Sequence, residues 1–306
     1  MKVTRTLFAL GAILGAVASP VLAADAALTL DGLREQAQAV LDVALVTEKG
    51  WVRVHAAEAQ IALGNGGQIR SLFKERLAAA EASPFRVGTW RVLATTAVSP
   101  EEREGWIRRI EAVFLNPASA DRLQAIESLA KLRHVVTGET LVTAQKLAAT
   151  TPSSAAVLSL WALALANEPH ALDSLAGMLA SSDAEARMNA AYTLRWLRPT
   201  DPALLQKVAR ATDAEPVDSI AYPYLLGAAL QTKSDPARSD AWHAALLHVL
   251  LTGSMDARFE AAQTLQGHLT PADLPRLEPL LTSSEPDTRI GAALCVLRLF
   301  LDKPAR

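Results

Sequence analysis

Along the chain a basic residue is followed, three and four positions on, by a pair of small residues, and at the seventh by leucine. The pattern reads Arg187, Ala190-Ala191, Leu194, then Arg258, Ala261-Ala262, Leu265. It recurs as Arg289, Ala292-Ala293, Val296 and as Arg122, Ala125-Ile126, Leu129. Offsets of three, four and seven share one face of a helix. Arg53 keeps the small pair but has Gln60 at the leucine position, and Arg86 keeps Leu93 but has Thr89-Trp90 at the pair. Weaker copies without the arginine begin at Ala156 and Ser219. The eight starting points lie 31 to 39 residues apart, a period that suits a two-helix unit. Small pairs on the shared face let a neighbouring helix approach closely.

Each stretch then breaks and a second amphipathic segment follows. Gly64-Asn65-Gly66-Gly67 ends the first, and Gln68 to Ala80 presents Ile69, Leu72, Phe73 and Leu77 on one side. Ser99-Pro100 predicts a capped helix start, with Trp106, Ile107, Ile110, Val113 and Phe114 as its apolar face. Pro169, Asp201-Pro202 and Thr270-Pro271 open further second helices, and Pro/Ser/Asp clusters separate the units. Pro223 falls inside an expected first helix and should kink or shorten it. Asp31 to Glu48 is one more amphipathic helix, read as a cap over residues 24–50 ahead of an array spanning 51–306. The expectation is an all-α row of about seven to eight helical hairpins.

Composition agrees with helices: 59 Ala and 47 Leu in 306 residues. Half the residues are hydrophobic and 20% charged, which excludes a disordered chain. Lys2 and Arg5, the uncharged run Leu7 to Val17, Pro20 and Val21-Leu22-Ala23 form the pattern of a secretory signal peptide over residues 1–23. Its apolar run is short for a bilayer span, although an uncleaved anchor is the competing reading. Export by a Sec-type route predicts a periplasmic or secreted protein, with no membrane span after cleavage. The mature chain would carry 28 basic and 32 acidic residues, a net charge of −4. That charge argues against nucleic acid as the partner. Cys295 is the lone cysteine, set among Ala292, Ala293, Val296 and Leu297, so an inert packed thiol is expected.

The arginine, the alanine pair and the leucine at these offsets, with Leu63-Gly64 closing a helix, resemble HEAT repeats. The nearest flavour is the HEAT-like repeat also found in phycobilisome bilin lyases. The resemblance covers roughly residues 50–300. It is sharp at 187, 258 and 289 and loose at 156 and 219. Tetratricopeptide repeats are the rival, but the unequal gaps argue against their fixed period. A HEAT-like array implies a right-handed α-solenoid whose second helices line a concave surface where another protein binds. On those helices the outward residues include Arg70, Lys74, Arg103, Arg109, Lys207, Arg210 and His243, so an acidic partner is expected. Arg53, Arg122, Arg187, Arg258 and Arg289 are read as structural, tying repeats together, against a ligand-binding arginine ladder.

Catalytic motifs are missing from the sequence. There is no nucleophile elbow, no zinc-protease histidine pair and no phosphate-binding Gly-rich loop. His243 and His248 are five apart and fall on different helix faces. His170 with Glu168 and Asp173 is a weak cation candidate, more simply read as a helix start. The tryptophans at 51, 90, 106, 161, 196 and 242 fit core packing or a stacking surface for sugars or apolar side chains. No cofactor and no metal is called for. The expected function is a binding or scaffold protein acting through its concave surface. The alternative is a lyase or polymer-degrading hydrolase with carboxylates in the same cleft.

Overall fold

The computed structural model describes residues 29–81, 85–150 and 152–301. The signal-peptide pattern at 1–23 lies outside them. Among the described residues the chain is all-helical, with no strand. In chain order the α-helices are α1 (Leu30–Thr47), α2 (Gly50–Ala62), α3 (Gly66–Glu75), α4 (Leu77–Glu81), α5 (Arg86–Thr95) and α6 (Pro100–Leu115). There follow α7 (Arg122–Lys131), α8 (Gly138–Ala148), α9 (Ser154–Leu165), α10 (Ala171–Met178), α11 (Ala184–Leu197) and α12 (Pro202–Ala214). The last are α13 (Tyr222–Thr232), α14 (Ser239–Thr252), α15 (Met255–Leu265), the short α16 (Leu274–Leu277) between two 3-10 segments, and α17 (Pro286–Leu301).

Seven of the eight repeat starts fall on α2, α5, α7, α9, α11, α15 and α17, and Ser219 stands just ahead of α13. Each of these eight helices packs against the next in sequence, and α17 packs against α2. The row therefore closes into a ring. The small pairs are the reason helices can sit so near one another: Ala56, Ala57, Ala190, Ala292 and Ala293 are all fully buried. At α17 even alanine is too large in one place, since a Cβ on Gly291 would lie 2.6 Å from Ala262 Cβ. The second helices form an outer layer against this ring.

Closure changes the role of α1. A cap covers one end of a row, but α1 packs on both α17 and α2 and fills the outer position between them. Leu33, Ala37, Leu41, Ala44 and Leu45 form its buried face. The arginines show the same continuity. Arg86 donates to Asp121 at 2.8 Å, Arg187 to both oxygens of Glu215 at 2.7 Å, and Arg258 to Glu285 at 3.4 Å. In each case the acid sits in the segment leading into the next inner helix. Arg289 of the last hairpin meets Glu48, ahead of α2, at 3.4 Å. Arg122 instead donates to the Phe114 carbonyl of α6 at 2.8 Å, and Arg53 leaves its Nε buried and unpaired.

Local starts follow the sequence. Ser99 accepts from the Glu102 amide at 3.2 Å and Asp201 from the Leu204 amide at 2.8 Å. Pro223 lies in the first turn of α13, where its missing N–H has no helical partner to lose, so it shortens the helix rather than kinking it. The segment 68–80 is divided, α3 ending at Glu75 and α4 beginning at Leu77. The stretch after Thr270 is not one α-helix, because Pro271, Pro275 and Pro279 remove an amide every fourth residue and leave short α and 3-10 pieces.

Candidate functional site

The side of each inner helix opposite the small pair and leucine faces the middle of the ring. At 3.6 residues per turn, the residue five after each repeat start points roughly away from offsets three, four and seven. That column reads Glu58, Arg91, Glu127, Trp161, Tyr192, Tyr224, Gln263 and Leu294. All but Trp161 line a central cavity of about 580 Å³. All eight inner helices contribute to its wall. Trp161, fully buried, backs the site by meeting Tyr192 edge to face at 5.8 Å.

Three acid–base pairs are built into this wall. Arg91 Nε donates to Glu58 Oε1 at 2.7 Å, and its Nη1 donates to Ser128 Oγ at 2.9 Å, so α5 is tied to α2 and α7 together. Lys131 lies 2.9 Å from Glu127 Oε1, one turn away on α7. The same oxygen accepts from the Tyr192 hydroxyl at 2.6 Å, a tie to α11 that passes over α9. Arg195 on α11 meets Glu260 on α15, passing over α13. Its Nη2 donates to Oε2 at 3.0 Å. Nε approaches Oε1 to 2.7 Å at an angle that misses hydrogen-bond geometry, so both atoms are left without a hydrogen-bond partner. Gly227 on α13 makes room for this pair, since a Cβ there would lie 2.8 Å from Thr264 Oγ1 and 3.2 Å from Glu260 Oε1.

The three carboxyls differ in proton affinity. Burial alone would raise Glu127, but Lys131, Arg91 and the Tyr192 and Lys131 hydrogen bonds overcome it and hold the group at about 2. Burial likewise raises Glu58, and Arg91, Lys131 and His55 together bring it below its ordinary value. At Glu260 burial wins over Arg195 and Lys131, and the group stands at about 7. Burial pushes the Tyr192 hydroxyl well above its ordinary value, and Glu127 adds to it.

Aromatic rings complete the wall. Lys131 lies 5.6 Å and Arg195 5.4 Å from the ring centres of both Tyr192 and Trp196. Trp196 remains 37% exposed. His55 stacks on Phe259 at 4.4 Å and its Nδ1 lies 2.9 Å from Asp287 on α17, so the ring's closing seam forms part of the site.

The seven residues expected on a concave second-helix surface are elsewhere. None lines the cavity, which is walled by first helices. Arg70 and Lys74 both bind Glu102, at 2.9 and 2.6 Å. Arg103 donates to the Leu132 carbonyl at 2.7 Å, and Arg109 lies over Trp106 and Trp90. His243 keeps its Nε2 buried, while Lys207 and Arg210 are exposed on α12. The inversion follows from the sign of the curvature: the row bends so that its first helices lie inside the ring and its second helices outside.

Among the other candidates, Cys295 is fully buried against the Ala262 carbonyl, and burial pushes its thiol to about 12. His170 is 86% exposed and 3.9 Å from Asp173. Among the described residues no three His, Cys, Asp or Glu side chains come together as a metal site, and no helix is long and apolar enough to cross a membrane. Set against protein-family models and curated proteins, the sequence gives no significant match.

Proposed function

We propose that this protein is a ligand-binding module built of right-handed HEAT-like hairpins, and that its ligand is a small molecule held at the centre of the ring. One observation carries this reading: a cavity of about 580 Å³ into which all eight inner helices direct side chains. That volume is in the range of small-molecule sites. A protein partner needs about 800 Å² of surface, which a pocket of this size does not offer. A partner protein would use the outer layer, where Lys207 and Arg210 make no ion pair among the described residues and favour an acidic surface. Export to the periplasm or beyond rests on the pattern in residues 1–23. The test is a small-molecule screen by thermal shift and native mass spectrometry on the mature chain, with Trp196→Ala as control. A ligand that stabilises the native chain and loses about tenfold in affinity on that substitution supports the reading. A screen in which no compound binds, or binds regardless of Trp196, removes it.

A lyase or hydrolase is the second reading. It is favoured by two carboxyls of opposite character in one cavity, Glu127 at about 2 and Glu260 at about 7. Turnover of a ligand from the screen, abolished in both Glu127→Gln and Glu260→Gln, would support it. Binding without turnover would leave the module as a receptor.

A further inference from the structure

We infer that the central pocket takes an uncharged, polyhydroxylated ligand of the neutral sugar class, a statement that rests on the small-molecule reading above. The charges of the wall balance one another. Above the titration of Glu260 at about 7, Arg91, Lys131 and Arg195 are each matched inside the wall by Glu58, Glu127 and Glu260. His55 faces Asp287, and Asp256 stands exposed toward water. No buried charge is left to receive an ion. A charged ligand would have to break one of these pairs or enter the ring uncompensated, and either is expensive in a desolvated site.

The hydrogen-bonding groups left open in the wall suit hydroxyls. The second oxygens of Glu58 and Glu127 accept from no described residue, while Lys131 keeps ammonium hydrogens beyond the one directed at Glu127. Lys131 Nζ lies 2.9 Å from Glu127 Oε1, so the free second oxygen of that carboxylate and the remaining ammonium hydrogens belong to one paired group. A hydroxyl both donates and accepts, so two neighbouring hydroxyls satisfy such a pair at once, one donating to the carboxylate and one accepting from the ammonium. The cavity also has an apolar side. Ala59, Ala62, Leu158, Met188 and Leu294 form it, and Trp196 adds a part-exposed ring; both suit the C–H faces of a sugar.

The experiment is a titration of the full mature chain at pH 8, where Glu260 is ionised, followed by tryptophan fluorescence and saturation-transfer NMR. The probes are the neutral trisaccharides maltotriose, cellotriose and chitotriose, with the trimers of galacturonic acid and of glucosamine as anionic and cationic counterparts. The expected result is binding of at least one neutral trisaccharide, about tenfold or more tighter than either charged trimer. Trp196→Ala is expected to weaken that binding by about tenfold while leaving the fold intact, since the ring is part-exposed. A charged trimer that binds more tightly than every neutral one overturns the assignment. So does a failure of all neutral sugars when the small-molecule screen finds another occupant, and the pocket reading then survives. If the screen also finds none, both fall together.

Discussion

Glu127 and Glu260 sit in one cavity with opposite proton affinities, and this difference is testable on stability. Glu127 is held far below the ordinary carboxylate value of 4.5, so its contribution is present above that value and is lost as pH falls toward about 2. Glu260 is raised, so its contribution is present at low pH and is lost as pH climbs from 4.5 to about 7. Thermal melts across pH should show Glu260→Gln gaining on the native chain between pH 5 and 7.5, and Glu127→Gln flattening the acid limb below pH 4.5. Identical pH profiles for all three chains would refute this assignment. Arg195→Met leaves Glu260 without its cation, and breaking such a buried pair costs about 3–5 kcal/mol. Because Glu260 can take up a proton, that loss should be smaller at pH 5 than at pH 8, as denaturant titrations at the two values would show. Two glycines make a second, purely steric contrast. Gly291→Ala would force Cβ against Ala262 and should cost about 1–3 kcal/mol. Gly177→Ala, on α10 with open space around it, should stabilise by about 0.4–1 kcal/mol. Equal effects of the two would contradict the close approach of α15 and α17.

At the level of helices, α1 carries the closing joint. In a row with free ends, truncating a side chain on the first helix would expose little and be tolerated. Here Leu41 is fully buried between α1 and its neighbours, so Leu41→Ala should cost about 2–5 kcal/mol, comparable to Leu194→Ala in the middle of the ring. Chemical denaturation of both variants measures this, and a near-silent Leu41→Ala would show that α1 frays. The hairpins themselves were legible because the alanine pairs and leucines repeat at helical offsets. The site was legible only in part. The residues at offset five, Glu58, Arg91, Glu127 and Tyr192 among them, stand in plain view between the small pair and the leucine. Nothing local marks them as facing inward, because that depends on the sign of the ring's curvature. Closure was not legible either. The Arg289–Glu48 contact joins residues 241 positions apart, and no periodicity reports a contact across that separation.

The whole molecule is defined by the meeting of its two ends. An open row offers a long groove; a closed one offers a bounded pocket, and the choice between polymer and small molecule as ligand follows from that difference. It also makes folding less local than in a row, since the seam of α1, α2 and α17 must form across the full chain length. Distance between the ends is therefore the quantity that decides the account. Spin labels at Thr47→Cys and Ser284→Cys, both exposed, lie on the two sides of the Glu48–Arg289 contact, and buried Cys295 will not take a label. Pulsed electron-electron resonance should give one narrow, short-distance population. A population near 60–70 Å, about seven helix-to-helix steps of an open row, would contradict the closed ring and the pocket inside it.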